Sequence, residues 1–194
     1  MLSADPAATV LPGALMVGVA IEVPEPWNAQ LTDARARFED PLTPRVSPHI
    51  TVLAPTVVPR ASLDRVLAHL GRVASECPPF EVRLRGTATF RPVSPVVFVA
   101  VVEGISGCEQ VERAVRSGVL LRRRPYPYHP HVTVAHDVPE EALDAAYDDL
   151  DGFSARFRAE SFTLSEQVVD GSWSVIADYQ LTGAALAAAR SRRD

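Results

Sequence analysis

The chain has 194 residues, of which 47% are hydrophobic and 22% charged, as is typical of a soluble globular protein with its own core. Its net charge of −5 argues against a protein that coats nucleic acid or an anionic membrane by bulk electrostatics, so any nucleic acid must be bound locally. All 19 basic residues are arginines. The lack of lysine excludes a P-loop, a Schiff-base enzyme and a ligase that adenylylates its own lysine.

Residues 10–21 form an apolar run near the N-terminus. This run is about half as long as the roughly 20 residues that a membrane helix needs. Pro12 and Gly13 interrupt it, and Asp5 precedes it in place of basic residues. The run therefore does not resemble a signal peptide. We expect a cytoplasmic protein without membrane contact.

The first half of the chain predicts alternating strands and helices. A strand over Ala14–Glu22 is followed by a helix that Glu25 and Pro26 open and Pro41 ends, with an apolar face at three- or four-residue steps. β-Branched and alternating residues predict further strands at 46–54 and 80–90, and a helix with an apolar stripe is predicted at 62–75 between them.

The second half repeats this order. We predict strands at 96–102, 131–135, 153–167 and 172–181, helices at 108–117 and 140–150, and a short helical or frayed tail at 184–194. Such a repeat indicates an α+β fold made of a duplicated, bilobal unit, with two mostly antiparallel sheets and helices packed outside. We expect one domain of two pseudo-symmetric lobes, approximately 12–92 and 93–182. A pseudo-twofold axis would leave a central cleft between them.

Two matching tetrapeptides begin predicted strands, each directly after a proline and about half a chain length apart: His49-Ile50-Thr51-Val52 and His131-Val132-Thr133-Val134. Side chains at positions i and i+2 of a strand share a face, so each histidine lies beside its threonine. If the halves are related by a twofold axis, the two pairs face each other across the cleft.

Two imidazoles with an ordinary pKa of about 6.5 can act as general base and general acid. Two hydroxyls beside them can donate hydrogen bonds to the non-bridging oxygens of one phosphate. The pattern therefore predicts a phosphodiester site that needs neither a metal nor another cofactor, with His49 and His131 as the acid/base pair and Thr51 and Thr133 holding the phosphate.

On these duplicated motifs and the order of strands and helices over roughly residues 12–182, the chain resembles the 2H phosphoesterases, in particular the bacterial group named after the 2′-5′ RNA ligases. The resemblance implies a bilobal fold and cleavage or formation of phosphodiesters that involve the 2′-OH of nucleotides, commonly a 2′,3′-cyclic phosphate. It implies RNA ends or small cyclic nucleotides as substrates. Many members carry an arginine shortly after the second motif, where this chain has His136.

Other side chains are candidate substrate contacts. His136 is a candidate contact to phosphate or ribose, and Arg45 lies four residues before His49. Arg124 and Tyr128 belong to a proline-rich loop at 120–130 that leads into the second motif, where they could meet flanking phosphates or stack on a base. Adjacent arginines are more often a solvated surface, and the tyrosine could equally pack the loop onto the sheet. Phe90 ends a predicted strand and could line the cleft, although a place in the core is the more common one for such a residue.

Two other classes of protein fit the pattern less well. A nucleotide-binding module of the same fold would not need both histidines as titrating groups. A histidine metal-binding protein would use His129, His131 and His136, of which the first two would have to splay around Pro130. We expect no bound metal and a monomer.

Overall fold

The computed structural model describes residues 13–41, 43, 45–124 and 126–184. Its eight strands are β1 (Ala14–Glu22), β2 (His49–Pro59), β3 (Phe80–Thr89), β4 (Val96–Glu103), β5 (His131–His136), β6 (Ser154–Ala159), β7 (Ser161–Gln167) and β8 (Trp173–Gln180). Its four α-helices are α1 (Trp27–Arg37), α2 (Leu63–Glu76), α3 (Ile105–Val115) and α4 (Glu140–Asp149). Short 3₁₀ turns stand at Arg60–Ser62 and Gly118–Leu120.

The strands form two four-stranded sheets in which every pair is antiparallel. Sheet A has the order β2-β1-β7-β8, and sheet B has the order β5-β4-β3-β6. In most strands one face packs on the core and the other is open, whereas β4 is buried on both faces from Val96 to Val99. In β1, burial alternates residue by residue from Ala14 to Glu22, as a strand with one face on a core requires. This architecture confirms the predicted α+β fold of two antiparallel sheets.

The two sheets do not follow the two halves of the sequence. Strand β3 of the first half pairs with β4 and β6 in sheet B, and β7 of the second half pairs with β1 in sheet A. The predicted lobe boundary at residues 92 and 93 therefore does not separate the sheets. The predicted tail, apart from Ala184, lies outside the described residues.

Helices likewise contact strands from the other half of the sequence. Helix α1 contacts β5 of sheet B, where Trp27 packs against Phe157 with ring centroids 6.2 Å apart, and α3 contacts β2 of sheet A. Helices α2 and α4 contact β8 and sheet B, respectively. Each half of the chain thus covers part of the other half, and the buried side chains form one continuous cluster.

Several predicted elements differ from the observed ones. The strand predicted at 153–167 is two strands that belong to different sheets, with Glu160 between them. Helix α3 begins at Ile105, three residues earlier than predicted, directly after Gly104, whose φ of 92° ends the preceding strand. Strand β2 begins at His49 and continues to Pro59, since pairing with β1 extends along its whole length.

Candidate active site

The two motifs lie on strands that contact each other. Strands β2 and β5 are the first strands of their sheets and are neighbours in space. All four motif side chains are half-buried and belong to the open faces, whereas the residues that alternate with them are buried in the core: Ile50, Val52, Val132 and Val134. The topology therefore places the two histidine/threonine pairs on neighbouring strands, and the region between the open faces of these strands is here called the groove.

Each motif ends in a β-bulge at its fourth residue. In β2, Thr51 is opposite Ala20 and Leu53 is opposite Val19, so Val52 is the extra residue. In β5, Thr133 is opposite Phe98 and Ala135 is opposite Val97, so Val134 is the extra residue. Bulges are common beside active sites because they redirect side chains. The same irregularity at the same place supports a duplicated unit.

The bulge in β5 determines where His136 lies. Without it, His136 would point to the core side, because it is three residues after Thr133. With Val134 as the extra residue, His136 is opposite Val96 and returns to the face of Thr133. Its Nε2 lies 3.4 Å from Oδ2 of Asp137. The structure thus places His136 on the same open face as the second motif.

Both catalytic candidates are fixed by the same backbone contact. Nδ1 of His49 lies 2.7 Å from the carbonyl oxygen of Ser47, and Nδ1 of His131 lies 2.7 Å from that of His129. A carbonyl only accepts hydrogen bonds, so Nδ1 must carry the proton in each neutral ring. Nε2 is then left with its lone pair, as a general base requires. Nε2 of His49 lies 3.2 Å from the hydroxyl of Thr51.

Burial lowers the pKa of both histidines below the ordinary 6.5, and the hydrogen bond that each Nδ1–H donates to a backbone carbonyl opposes this in part. The charge of Arg35 lowers the pKa of His49 further, and the charges of His129 and His49 lower that of His131. That His49 acts on His131 agrees with their placement in one groove. Both rings are therefore mainly neutral at pH 7 in the free protein.

Aromatic rings hold His131 in place. The ring centroids of Phe90 and Phe98 lie 5.0 and 4.9 Å from that of His131, and 4.4 Å from each other. His129 also contacts both phenylalanines. The ring of Phe90 therefore packs against the imidazole of His131 and positions it.

Charged residues that the sequence did not single out surround His49. The buried Arg35 lies 3.0 Å from Asp40 and donates a hydrogen bond of 2.6 Å to the carbonyl of Val46, which anchors the loop before the first motif. Glu22 is directly opposite His49 in the β1–β2 register. Although Glu22 as a residue is exposed, burial around its carboxyl and the charge of Asp178 raise its pKa to about 7.

Three other candidate contacts have protein partners. The hydroxyl of Tyr128 donates to the carbonyl of Thr51 at 3.0 Å, so it ties the loop before the second motif to the first motif. Arg124 is exposed and lies 3.4 Å from Oε1 of the buried Glu112. Arg45 is exposed beside the turn between β7 and β8, where its charge contributes to lowering the pKa of Asp170.

The sequence contained a signal for Glu22, because it is the last of the alternating residues of β1 that belong to the open face. The sequence could not show that Glu22 lies opposite His49, since the pairing between β1 and β2 is a tertiary feature. In the described ranges, no three histidine, cysteine or acidic side chains are grouped to hold a metal ion. No helix in the described part of the chain has the length and hydropathy needed to cross a membrane.

Comparison with known proteins identifies relatives of this chain. A model of the 2′-5′ RNA ligase superfamily matches residues 23–171. A protein of Geobacillus kaustophilus named "Putative phosphoesterase" is 25% identical over 140 residues, covering 71% of this chain and 80% of that protein. A protein of the same name from Bacillus cytotoxicus is 28% identical over 156 residues, covering 80% and 85%.

The same fold is found in a solved structure. A crystal structure of E. coli LigT complexed with 3′-AMP superposes with a TM-score of 0.69 at 22% sequence identity, covering 87% of this chain and 99% of that chain. At this level of identity the likeness concerns the fold.

Proposed function

The chain belongs to the 2′-5′ RNA ligase superfamily of 2H phosphoesterases, and on that basis we propose that it is a metal-independent phosphoesterase. Its proposed substrates are 2′,3′-cyclic or 2′-5′ phosphodiesters of RNA ends or small nucleotides. The names of its relatives, and the presence of 3′-AMP in the LigT structure, support a substrate of this kind.

The observation that carries the proposal is the twofold repetition of one geometry. Each motif supplies an imidazole whose Nδ1 is bound by a backbone carbonyl at 2.7 Å, together with a threonine hydroxyl on the same face. A structural histidine on a strand does not need an unprotonated Nε2, and two such histidines do not need to lie on neighbouring strands. Proton transfer by positioned groups does need both.

In the proposed reaction, one imidazole takes a proton from water through Nε2 as the water oxygen bonds to phosphorus. The bond from phosphorus to one ribose oxygen breaks, and the second imidazole, protonated, gives its proton to that oxygen. The product is a phosphomonoester, with one histidine protonated and the other neutral. Attack by a ribose hydroxyl in place of water forms a phosphodiester by the same steps.

The hydroxyls of Thr51 and Thr133 donate hydrogen bonds to the non-bridging oxygens, on which negative charge increases in the transition state. The carbonyls of Ser47 and His129 keep each imidazole oriented, so little reorganisation is needed as the reaction proceeds. His136, on the face of the second motif, provides a further contact to phosphate or ribose.

The test is an assay of the purified protein, in the presence of EDTA, against the four nucleoside 2′,3′-cyclic phosphates and 2′-5′ linked dinucleotides. We expect turnover of at least one class, with product identified by phosphorus NMR, and a loss of about 100-fold or more in His49→Ala and in His131→Ala. Binding without turnover in the parent protein would instead identify a nucleotide-binding module. Activity lost on chelation and restored by Zn²⁺ or Mn²⁺ would contradict a metal-independent mechanism.

A further inference from the structure

The open face of sheet A continues from the first motif across the whole sheet. Thr51 is opposite Ala20, Ala20 is opposite Thr163, and Thr163 is opposite Asp178. Neighbouring strands are about 4.8 Å apart, so this row spans about 14 Å of backbone. It begins at a hydroxyl of the proposed phosphate site and ends at a carboxylate. Next to Thr51, the small side chain of Ala20 projects only a short distance from the sheet, so this part of the face is a low floor.

A tryptophan covers the face one pleat further along β1. Two carbons of the Trp173 indole, Cζ3 and Cη2, lie 3.1 and 3.3 Å from where a β-carbon on Gly18 would be. The φ of Gly18 is not positive, so the close approach of the indole accounts for glycine at this position. Trp173 is half-buried. It therefore contacts β1 and is not enclosed in the core.

The carboxylate at the far end of the row is held by the protein. The hydroxyl of Thr163, which is buried with 8% of its surface exposed, donates a hydrogen bond of 2.6 Å to Oδ1 of Asp178. Asp178 itself is exposed. A carboxylate has about four acceptor sites, so Asp178 keeps acceptor capacity in a fixed orientation on the groove side of the sheet.

Proteins bind single bases by stacking them on aromatic rings and by hydrogen bonds to their edges, and this face carries an aromatic ring against β1 and, two strands away, an oriented acceptor. We propose that this part of sheet A is the nucleobase subsite of the active site, with Trp173 stacking on the base and Asp178 accepting hydrogen bonds from its Watson–Crick edge. The proposal rests on the proposed function, because it needs the phosphate to lie between the two motifs.

The acceptor selects among bases. Guanine presents two adjacent N–H donors at this edge, and adenine and cytosine each present an amino group. Uracil presents a single N–H between two carbonyl oxygens, which a carboxylate repels. Nucleoside 2′,3′-cyclic phosphates of guanine are therefore the preferred substrate class, and those of uracil the least favoured.

The experiment measures kcat/KM for the four nucleoside 2′,3′-cyclic phosphates. We expect the guanosine substrate to exceed the uridine substrate by about 5- to 150-fold, as for one good base-edge pairing. Asp178→Asn should bring this ratio close to one. Asp148→Asn, which removes the same charge from the exposed side of α4, is the matched control and should leave the ratio unchanged.

The stacking arm uses Trp173→Leu, which should lower kcat/KM about 5- to 150-fold for all four substrates, mainly through KM. Trp173→Phe should retain most of the activity. Trp27→Phe serves as the control, because that tryptophan packs on Phe157. Thermal melting of each variant separates these effects from loss of folding.

A binding readout keeps the inference independent of turnover. In the Trp27→Phe background, 3′-GMP should quench the fluorescence of Trp173 at lower concentration than 3′-UMP. Equal kcat/KM for all four bases that Asp178→Asn does not change would overturn the subsite while leaving the phosphoesterase proposal intact. No turnover of any substrate, but selective quenching by 3′-GMP, would overturn the proposed function and leave the subsite standing.

Discussion

Replacing Thr51 or Thr133 by valine tests the phosphate site most directly. Threonine and valine have nearly the same shape and both favour strands. Both threonines are half-buried on the open faces, so the substitution leaves no cavity in the core. The contact that holds Tyr128 to Thr51 uses the backbone carbonyl and is kept. Only the hydroxyl is lost.

The loss of one donor to a phosphate oxygen should lower turnover about 10- to 1000-fold, which corresponds to about 1.4–4 kcal/mol of transition-state stabilisation. The two motifs share one geometry, so both single variants should fall in this range. In Thr51→Val, Nε2 of His49 also loses the hydroxyl 3.2 Å away, which leaves its lone pair without this partner in the free protein.

The assay is single-turnover hydrolysis of a nucleoside 2′,3′-cyclic phosphate, with thermal melting of each variant in parallel. Thr56→Val is the matched control, because Thr56 lies on the same strand and its hydroxyl donates to the carbonyl of Ala54. It should melt and react like the parent. Parental turnover in both Thr51→Val and Thr133→Val would refute the reasoning, since the hydroxyls would then not touch the substrate.

Four further predictions follow from the site. His49→Ala and His131→Ala should each lower kcat about 10²- to 10⁴-fold, and the double variant should be little slower than the slower single variant in the same assay, because the two groups act as a unit. The pH dependence of kcat/KM should have its optimum below 6.5 and decline through neutral pH, because both histidine pKa values are lowered and the acid must be protonated; an optimum above pH 8 would contradict this. The pKa of Glu22 is raised to about 7 in the folded state. The folded protein therefore binds more protons than the unfolded chain between about pH 4.5 and 7, so ionisation of the Glu22 carboxyl lowers the free energy of unfolding as pH rises through this window. In urea unfolding, Glu22→Gln should therefore stabilise the protein at pH 8 relative to the parent but not at pH 4. Tyr128→Phe should lower the free energy of unfolding by about 1 kcal/mol through loss of the hydrogen bond to Thr51, and an unchanged urea midpoint would show that this bond contributes nothing net.

Much of the active site was readable from the sequence because its signals are local. The two four-residue motifs, the prolines before them and the alternation of apolar residues predict which side chains share a face, since a strand repeats every two residues. The structure places all four motif residues on open faces, with Ile50 and Val132 in the core. The duplicated order of strands and helices likewise indicated an α+β fold of two antiparallel sheets.

Other features depended on contacts between distant parts of the chain, which leave no periodic signal. Strand β3 of the first half belongs to sheet B, and β7 of the second half belongs to sheet A, because of the strands with which they pair. The two sheets therefore do not follow the halves of the sequence. The position of Glu22 opposite His49 is a matter of register. The approach of Trp173 to Gly18 brings together residues from opposite ends of the chain.

His136 shows the difference within a single strand. Its distance from Thr133 in sequence predicts a side chain on the core side, yet the bulge at Val134 returns it to the open face. A bulge is an irregularity in pairing between two strands, so it is determined by both β4 and β5. The sequence by itself determined which residues are candidates for the chemistry, and the tertiary structure decided which other side chains face them, because that depends on pairing across the sheets.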